Sequence, residues 1–147
     1  IEELKDKGKY RISDAMEKEL KDFYSGYGKE AEGSQSIFQT YKETGYVLDP
    51  HTAVAKVVAD HYAYEQGRRD KCLVVSTASP FKFSQTVLKA LKEPVPKDVF
   101  EGIEALEKLW KEPIPAPVKE VEEGEIRHST VCSVEDMEAT VSHFLLS

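Results

Sequence analysis

The sequence predicts an α/β fragment that is mostly α-helical, with about six helices and one or two short strands. Amphipathic segments with helix-capping residues fill most of the 147 residues. The apolar run Cys72–Val75 is too short for a helix and has the character of a strand buried on both faces. A second candidate strand is Arg127–Cys132, and a chain with 40% hydrophobic residues can bury one core.

A helical lead-in is predicted at residues 1–47. Its first amphipathic helix is capped by Ser13, and its second opens at Ser34 and ends at Gly45. The aromatic residues of both helices have acidic or neutral neighbours, which favours core packing over a base-stacking platform. The residues predicted to face inward are Met16, Leu20, Phe23, Tyr24, Ile37, Phe38 and Tyr41.

The best-defined helix is predicted from Pro50 to about Gln66. Asp49 can accept hydrogen bonds from the free backbone amides of the first turn, and Pro50 suits the first helical position. His51 and His61 are interpreted as structural residues rather than catalysts. The broad apolar face comprises Ala53, Val54, Val57, Val58, His61 and Tyr62.

This helix opens an α-β-α unit that we place at residues 48–92. Strand Cys72–Val75 is followed by Ser-Thr-Ala-Ser-Pro, in which Ser79 is an N-cap and Pro80 begins the next helix. Because ligands in open α/β sheets lie beyond the carboxyl ends of strands, the Thr77 hydroxyl would point at a candidate site. Without further information, such a hydroxyl is more often a local cap or turn residue.

Residues 93–147 are predicted to be a helical carboxyl-terminal extension. Pro94–Pro96 would cap its first helix, and a proline-rich, acidic linker at residues 111–126 would be extended. Ser133, with Asp136 three residues later, would open a terminal helix. The residues predicted to face inward are Val99, Ile103, Leu106, Trp110, Val134, Met137, Val141 and Phe144.

Composition excludes several classes of function. A net charge of -7 argues against nucleic-acid or anionic-membrane partners. Cys72 and Cys132 lack metal-ligand spacing, so no metal site is predicted and both are interpreted as buried, reduced thiols of a cytoplasmic protein. Because the chain begins at Ile1 without a methionine, we expect it to be a piece of something longer.

Two motifs resemble the carboxyl-terminal part of threonine synthase. They are Asp-Pro-His-Thr-Ala-Val-Ala at 49–55 and Ser-Thr-Ala-Ser-Pro-Phe-Lys-Phe at 76–83, and the approach at 41–46 is also similar. The resemblance covers residues 1–92 well and the rest loosely. It implies a pyridoxal-phosphate enzyme of fold type II, the fold of the tryptophan synthase β subunit. Such an enzyme is a carbon-oxygen lyase of threonine biosynthesis, which converts O-phospho-L-homoserine and water into L-threonine and phosphate.

The resemblance also implies roles for individual residues. Thr77 matches the family's hydroxyl that hydrogen-bonds the pyridine nitrogen of the cofactor, and Ser76 is the fallback if the register differs by one residue. The family usually has histidine where this chain has Ser79. The family's Ser-Phe-Lys-Asp-type motif, which carries the Schiff-base lysine, and its Gly-Asn-rich phosphate loop are both absent from this sequence, and Lys82 is not read as that lysine.

This chain is therefore expected to supply one wall of the cofactor site and no catalytic residue. Its partner would be the remainder of the same polypeptide, and the isolated chain would be inactive. The alternative is a free-standing helical protein-interaction domain without catalysis. Because strand Cys72–Val75 has two unpaired edges, we also expect the isolated chain to self-associate or to recruit Arg127–Cys132 as a neighbour.

Overall fold

A computed structural model of the chain describes residues 2–67 and 71–146, which form eight α-helices and two 3₁₀ turns. They group into two compact units, Ile1–Ile114 and Pro115–Ser147. The helices are α1 (Glu2–Lys7), α2 (Asp14–Glu19), α3 (Glu30–Thr44), α4 (Pro50–Glu65), α5 (Ser84–Ala90), α6 (Val99–Trp110), α7 (Ala116–Glu123) and α8 (Met137–Leu146). The 3₁₀ turns are Leu20–Asp22 and Pro80–Phe83.

The predicted α/β class is wrong for the described residues, because none of them forms a β-strand. The expectation of a mostly helical chain agrees with the structure. Residues of both candidate strands, Cys72–Val75 and Arg127–Cys132, are described and have no sheet partner. A strand needs a neighbouring strand for its backbone hydrogen bonds, and an apolar run cannot supply that neighbour by itself.

The core of the first unit lies where α3 to α6 meet. Helix α3 packs against α4 and α5, and α5 packs against α6. Ile37, Leu88 and Leu106, from three of these helices, are almost completely buried. The buried apolar residues are Ile37, Val47, Leu48, Ala53, Val57, Phe81, Val87, Leu88, Ala90, Leu91, Ile103, Leu106 and Ile114. This core includes residues beside both motifs, so it fixes their backbone in place.

The link between α3 and α4 turns sharply at Gly45. Its φ of 75° lies in the left-handed region that favours glycine, and its amide donates to the Tyr41 carbonyl at 2.8 Å. The chain then buries Val47 and Leu48 before it reaches Asp49. As a result the carboxylate at the start of α4 is delivered into the core rather than to the surface.

Helix ends were predicted with mixed success. The predicted caps Asp49 and Ser79 are confirmed, and α4 ends one residue earlier than expected. Helix α3 begins at Glu30 rather than Ser34, because the Glu32 carboxylate accepts from the Lys29 amide at 2.7 Å.

The cap of α6 is not the Pro94–Pro96 segment. It is Asp98, whose carboxylate accepts from the α6 backbone amides of Phe100 and Glu101 at 2.8 and 3.0 Å.

Several residues predicted to face inward are exposed. The first predicted helix is short, ending at Glu19 before a 3₁₀ turn, and Met16, Leu20, Phe23 and Tyr24 are all exposed. Cys72 and Cys132, expected to be buried, are exposed free thiols. In each case the sequence has the apolar pattern, but no described element covers it.

The second unit contains α7 and α8. Helix α7 lies in the segment that was expected to be an extended linker. The prediction that Ser133 opens the terminal helix is wrong by a few residues, because a turn follows Ser133, whose hydroxyl donates to the Asp136 carboxylate at 2.9 Å. Helix α8 begins just after it. The residues of this region expected to face inward are exposed instead, namely Val134, Met137, Val141 and Phe144.

Candidate functional site

A buried carboxylate, that of Asp49, joins the two sequence motifs. Its side chain has 0% exposure. Oxygen Oδ1 accepts from the backbone amides of His51 at 2.9 Å and Thr52 at 3.2 Å, and so caps α4. Oxygen Oδ2 accepts from two side-chain hydroxyls, those of Thr52 and Ser76, the latter at 3.4 Å. One carboxylate therefore starts a helix and also holds a residue 27 positions later in the chain.

The two hydroxyls also contact each other. Thr52 Oγ1 and Ser76 Oγ are 3.1 Å apart, and Ser76 Oγ lies 3.4 Å from the carbonyl oxygen of Ala78. Thr52 is buried and belongs to the first motif, whereas Ser76 opens the second. The three side chains form one polar cluster, which we call the Asp49 cluster (Asp49, Thr52 and Ser76).

The Asp49 cluster keeps its carboxylate ionised. Burial by itself raises the pKa of Asp49, but the hydrogen bonds from the Thr52 hydroxyl, the Thr52 and His51 amides and the Ser76 hydroxyl outweigh it. The pKa of Asp49 therefore lies below its usual value. An ionised carboxylate only accepts hydrogen bonds, so it requires donors on both oxygens.

Side chains alternate along the segment that leads into Ser76. Cys72, Val74 and Ser76 line one groove of about 420 Å³ beside α4. Val74 is half-buried there, whereas Cys72 and Ser76 remain exposed on their solvent side. Leu73 and Val75 lie between them in sequence and are 88% and 68% exposed. This period of two is the pattern of an extended chain. The residues between those that line the groove, Leu73 and Val75, therefore face away from α4.

Thr77, the predicted site residue, continues the outward-facing series and is exposed. Ser76, the fallback, is exposed as well, but it lines the groove beside α4 and its hydroxyl belongs to the Asp49 cluster. The structure thus separates two hydroxyls that the sequence presents side by side. Neither the role of Thr77 nor that of Ser76 toward a cofactor is tested by this arrangement, and the assignment stays a prediction.

The other residues considered from the sequence surround this segment. Ser79 accepts from the Phe81 amide at 3.3 Å and so acts as the expected cap. Lys82 is exposed, with its ammonium 5.7 Å from the centre of the Phe83 ring. His51 Nδ1 lies 3.4 Å from Asp49 Oδ1, and its ring meets Phe83 edge-on at 5.0 Å between centroids.

Sequence reasoning identified Asp49 as a cap but missed its second role. A capping aspartate followed three residues later by threonine was a local signal for the Thr52 hydroxyl bond. Nothing in the sequence indicated that Ser76 would join them, because that contact depends on how α4 and the later segment pack.

In the described residues, 2–67 and 71–146, no group of three or more His, Cys, Asp or Glu side chains is arranged to hold a metal ion. Within the same residues, no helix has both the length and the apolar character needed to cross a membrane.

The residues of this segment fit a neutral-donor role toward a pyridine ring. Thr77 carries a hydroxyl that can donate, is accessible, and is adjacent to a residue held by a buried charge.

Comparison with known proteins gives a family match. The family model described as "Threonine synthase, C-terminal" matches residues 52–141. This range contains Thr52 from the first motif and the whole second motif.

Curated relatives are similar to about half of the chain. Threonine synthase-like 1 from Homo sapiens is 42% identical over 84 residues, which are 56% of this chain and 11% of that protein. The same-named protein from Macaca fascicularis is 44% identical over 77 residues, or 52% of this chain and 10% of the relative. The Mus musculus protein is 42% identical over 76 residues, which are 52% of this chain and 10% of that protein. The matched part is thus about a tenth of the length of these relatives.

The lowered pKa of Asp49 makes a prediction about stability and pH. Because the folded pKa is below the unfolded value of about 3.9, the unfolded chain takes up the proton first as pH falls. The carboxylate's contribution is complete above the unfolded pKa and is lost as pH falls through the folded pKa. Asp49→Asn should remove this pH dependence, and at pH 7 it should destabilise the chain by about 1–3 kcal/mol, since two hydroxyls lose a charged acceptor.

Urea unfolding between pH 2.5 and 7 measures both effects. Asp98→Asn is the matched control, because Asp98 also caps a helix through two amides but is exposed. The difference in unfolding free energy between wild type and Asp49→Asn should shrink toward low pH. A difference that does not change with pH would contradict the prediction.

Proposed function

The chain belongs to the threonine synthase family as its carboxyl-terminal region, and from this we propose that it forms one wall of the cofactor site in a pyridoxal-phosphate-dependent enzyme. The whole protein would convert O-phospho-L-homoserine and water into L-threonine and phosphate. The observation that carries the proposal is the exposed Thr77, which follows directly after Ser76, the residue whose hydroxyl contacts the buried carboxylate of Asp49.

Thr77 would donate its hydroxyl hydrogen bond to the pyridine nitrogen. When bound, pyridoxal phosphate supplies an electron sink for the carbanion chemistry of an amino-acid substrate. A neutral hydroxyl at the ring nitrogen does not enforce its protonation as a carboxylate would. Thr77 would therefore moderate how strongly the ring withdraws electrons. The position before it, Ser76, would serve the site indirectly.

The remainder of the same polypeptide is the proposed partner. It would contribute the Schiff-base lysine and the phosphate-binding loop, whose family motifs this sequence lacks. The exposed Leu73 and Val75 support this proposal, because adjacent outward-facing apolar residues are typical of a surface that another segment covers. The two exposed free thiols, Cys72 and Cys132, fit a reducing compartment, which we propose to be the cytoplasm.

A free-standing interaction domain is the second candidate. It is favoured by the buried core that Ile37, Leu88 and Leu106 form within the first unit. The parent reading frame distinguishes the two proposals. A Ser-Phe-Lys-Asp-type motif and a Gly-Asn-rich loop in that frame support the enzyme, and a frame without them supports the interaction domain.

The role of Thr77 predicts the effect of Thr77→Val in the full-length protein. Valine keeps the shape of threonine but removes the donor, and an unmet buried hydrogen bond costs about 1–3 kcal/mol, so turnover should fall roughly tenfold to a hundredfold. Steady-state kinetics with O-phospho-L-homoserine measure the change, and circular dichroism checks that the fold is retained. Unchanged turnover would assign the contact to another residue.

The absence of the lysine motif predicts the behaviour of the isolated chain with pyridoxal phosphate. No lysine, Lys82 included, should be labelled stoichiometrically after borohydride reduction and peptide mapping. The full-length protein treated identically is the positive control. One equivalent of label on Lys82 in the isolated chain would show that our interpretation of this residue is wrong.

The exposed Leu73 and Val75 predict that the isolated chain self-associates. Light scattering over a concentration series should show an increase in mass, and Val75→Lys should suppress it. Val121→Lys is the matched control, since Val121 is similarly exposed but lies on α7. A chain that stays monomeric at every concentration would favour the free-standing domain over the fragment.

A further inference from the structure

We propose that Asp49 is a positioning residue for the cofactor site: acting through Ser76, it sets which of two adjacent hydroxyls faces outward. The inference rests on the proposed function, because it takes Thr77 as the group that meets the cofactor. It adds Asp49 to the residues that shape the site, although Asp49 does not touch the cofactor. It also gives Ser76 a positioning role, instead of the role of a donor to the pyridine nitrogen in place of Thr77.

The first step is that capping α4 does not account for the whole Asp49 carboxylate. An N-cap needs one acceptor oxygen, and Oδ1 already accepts from both His51 and Thr52 amides. Serine, threonine or asparagine would cap equally well. Oxygen Oδ2 is buried and directed at the Thr52 and Ser76 hydroxyls instead. The second oxygen, and the charge, are therefore used for the contact between the motifs.

The second step is that this contact fixes the orientation of the later segment. Ser76 Oγ lies 3.1 Å from Thr52 Oγ1 and 3.4 Å from Asp49 Oδ2, and its single hydroxyl hydrogen can be donated to either oxygen. Because neighbouring side chains of an extended chain point in opposite directions, a Ser76 directed at α4 requires Thr77 to point away from it. A shift by one residue would exchange the two hydroxyls.

The third step is that little else holds this part of the chain. It has no ladder of backbone hydrogen bonds, and Leu73, Val75 and Thr77 are exposed. The apolar contacts of Val74 and Cys72 in the groove beside α4 would tolerate sliding, because they are not directional. Hydrogen bonds to a charged acceptor are directional, and the Asp49 cluster supplies them.

The physical part of the proposal is tested on this chain by backbone ¹⁵N relaxation. In the wild type the amides of Ser76 and Thr77 should have order parameters near those of rigid backbone, about 0.85, and Ser76→Ala should lower them toward 0.6. Ser76→Thr, which restores a hydroxyl, should recover the wild-type values. Thr86→Ala removes an exposed hydroxyl on α5 and should change nothing at Thr77.

The functional part is tested by a double-mutant cycle in the full-length protein. Ser76→Ala should lower kcat/KM by about twofold to tenfold, the worth of one ordinary hydrogen bond. If Ser76 acts through Thr77, the same change made on a Thr77→Val background should cost less than about twofold, because the group being positioned is gone. Fluorescence titration of pyridoxal phosphate into the four proteins gives a second readout, which should show the same coupling.

The outcomes separate the inference from the proposed function. Unchanged order parameters in Ser76→Ala, or additive losses in the cycle, would overturn the positioning role and leave the proposed function intact. Full-length protein that binds no pyridoxal phosphate would overturn the proposed function and with it this inference. Loss of order at Thr77 together with non-additive losses supports both.

Discussion

The structure around the candidate site depends on one buried negative charge. Asp49 has no exposed side-chain surface, so its carboxylate is stable only because amides and hydroxyls supply donors to both oxygens. Those donors come from two parts of the chain that are far apart in sequence. Satisfying one carboxylate therefore brings the start of α4 and the Ser76 segment to the same place.

Apolar residues in this chain fall into two groups with different meanings. Ile37, Leu88 and Leu106 are buried where helices α3 to α6 meet, and they give the first unit its own core. Leu73 and Val75 are exposed on a segment that lacks regular structure. Exposing adjacent large aliphatic residues loses the hydrophobic stabilisation that burial would provide. Under the proposed function, the remainder of the polypeptide restores it.

Predictions from local pattern were accurate where the determining interaction is local. Asp49 before Pro50, and Ser79 before Pro80, specify helix starts within a few residues, and both are present. Cys72–Val75 was wrongly assigned to a buried strand. An apolar run indicates that its side chains need to be buried, but it does not show which part of the chain covers them. The predicted burial of Met16 and Phe23 was wrong for the same reason, since the apolar face of a helix is buried only if another element covers it.

The sequence by itself determined the helical character of the chain, the capping residues of α4 and of the turn after Ser79, and the two motifs on which the family resemblance rests. These follow from short-range hydrogen bonding and from residue identity. Only the tertiary structure decided that Ser76 faces Asp49 while Thr77 faces outward. Neighbouring hydroxyls in an extended segment are chemically alike, and they are distinguished only when a distant buried charge takes one of them as its donor.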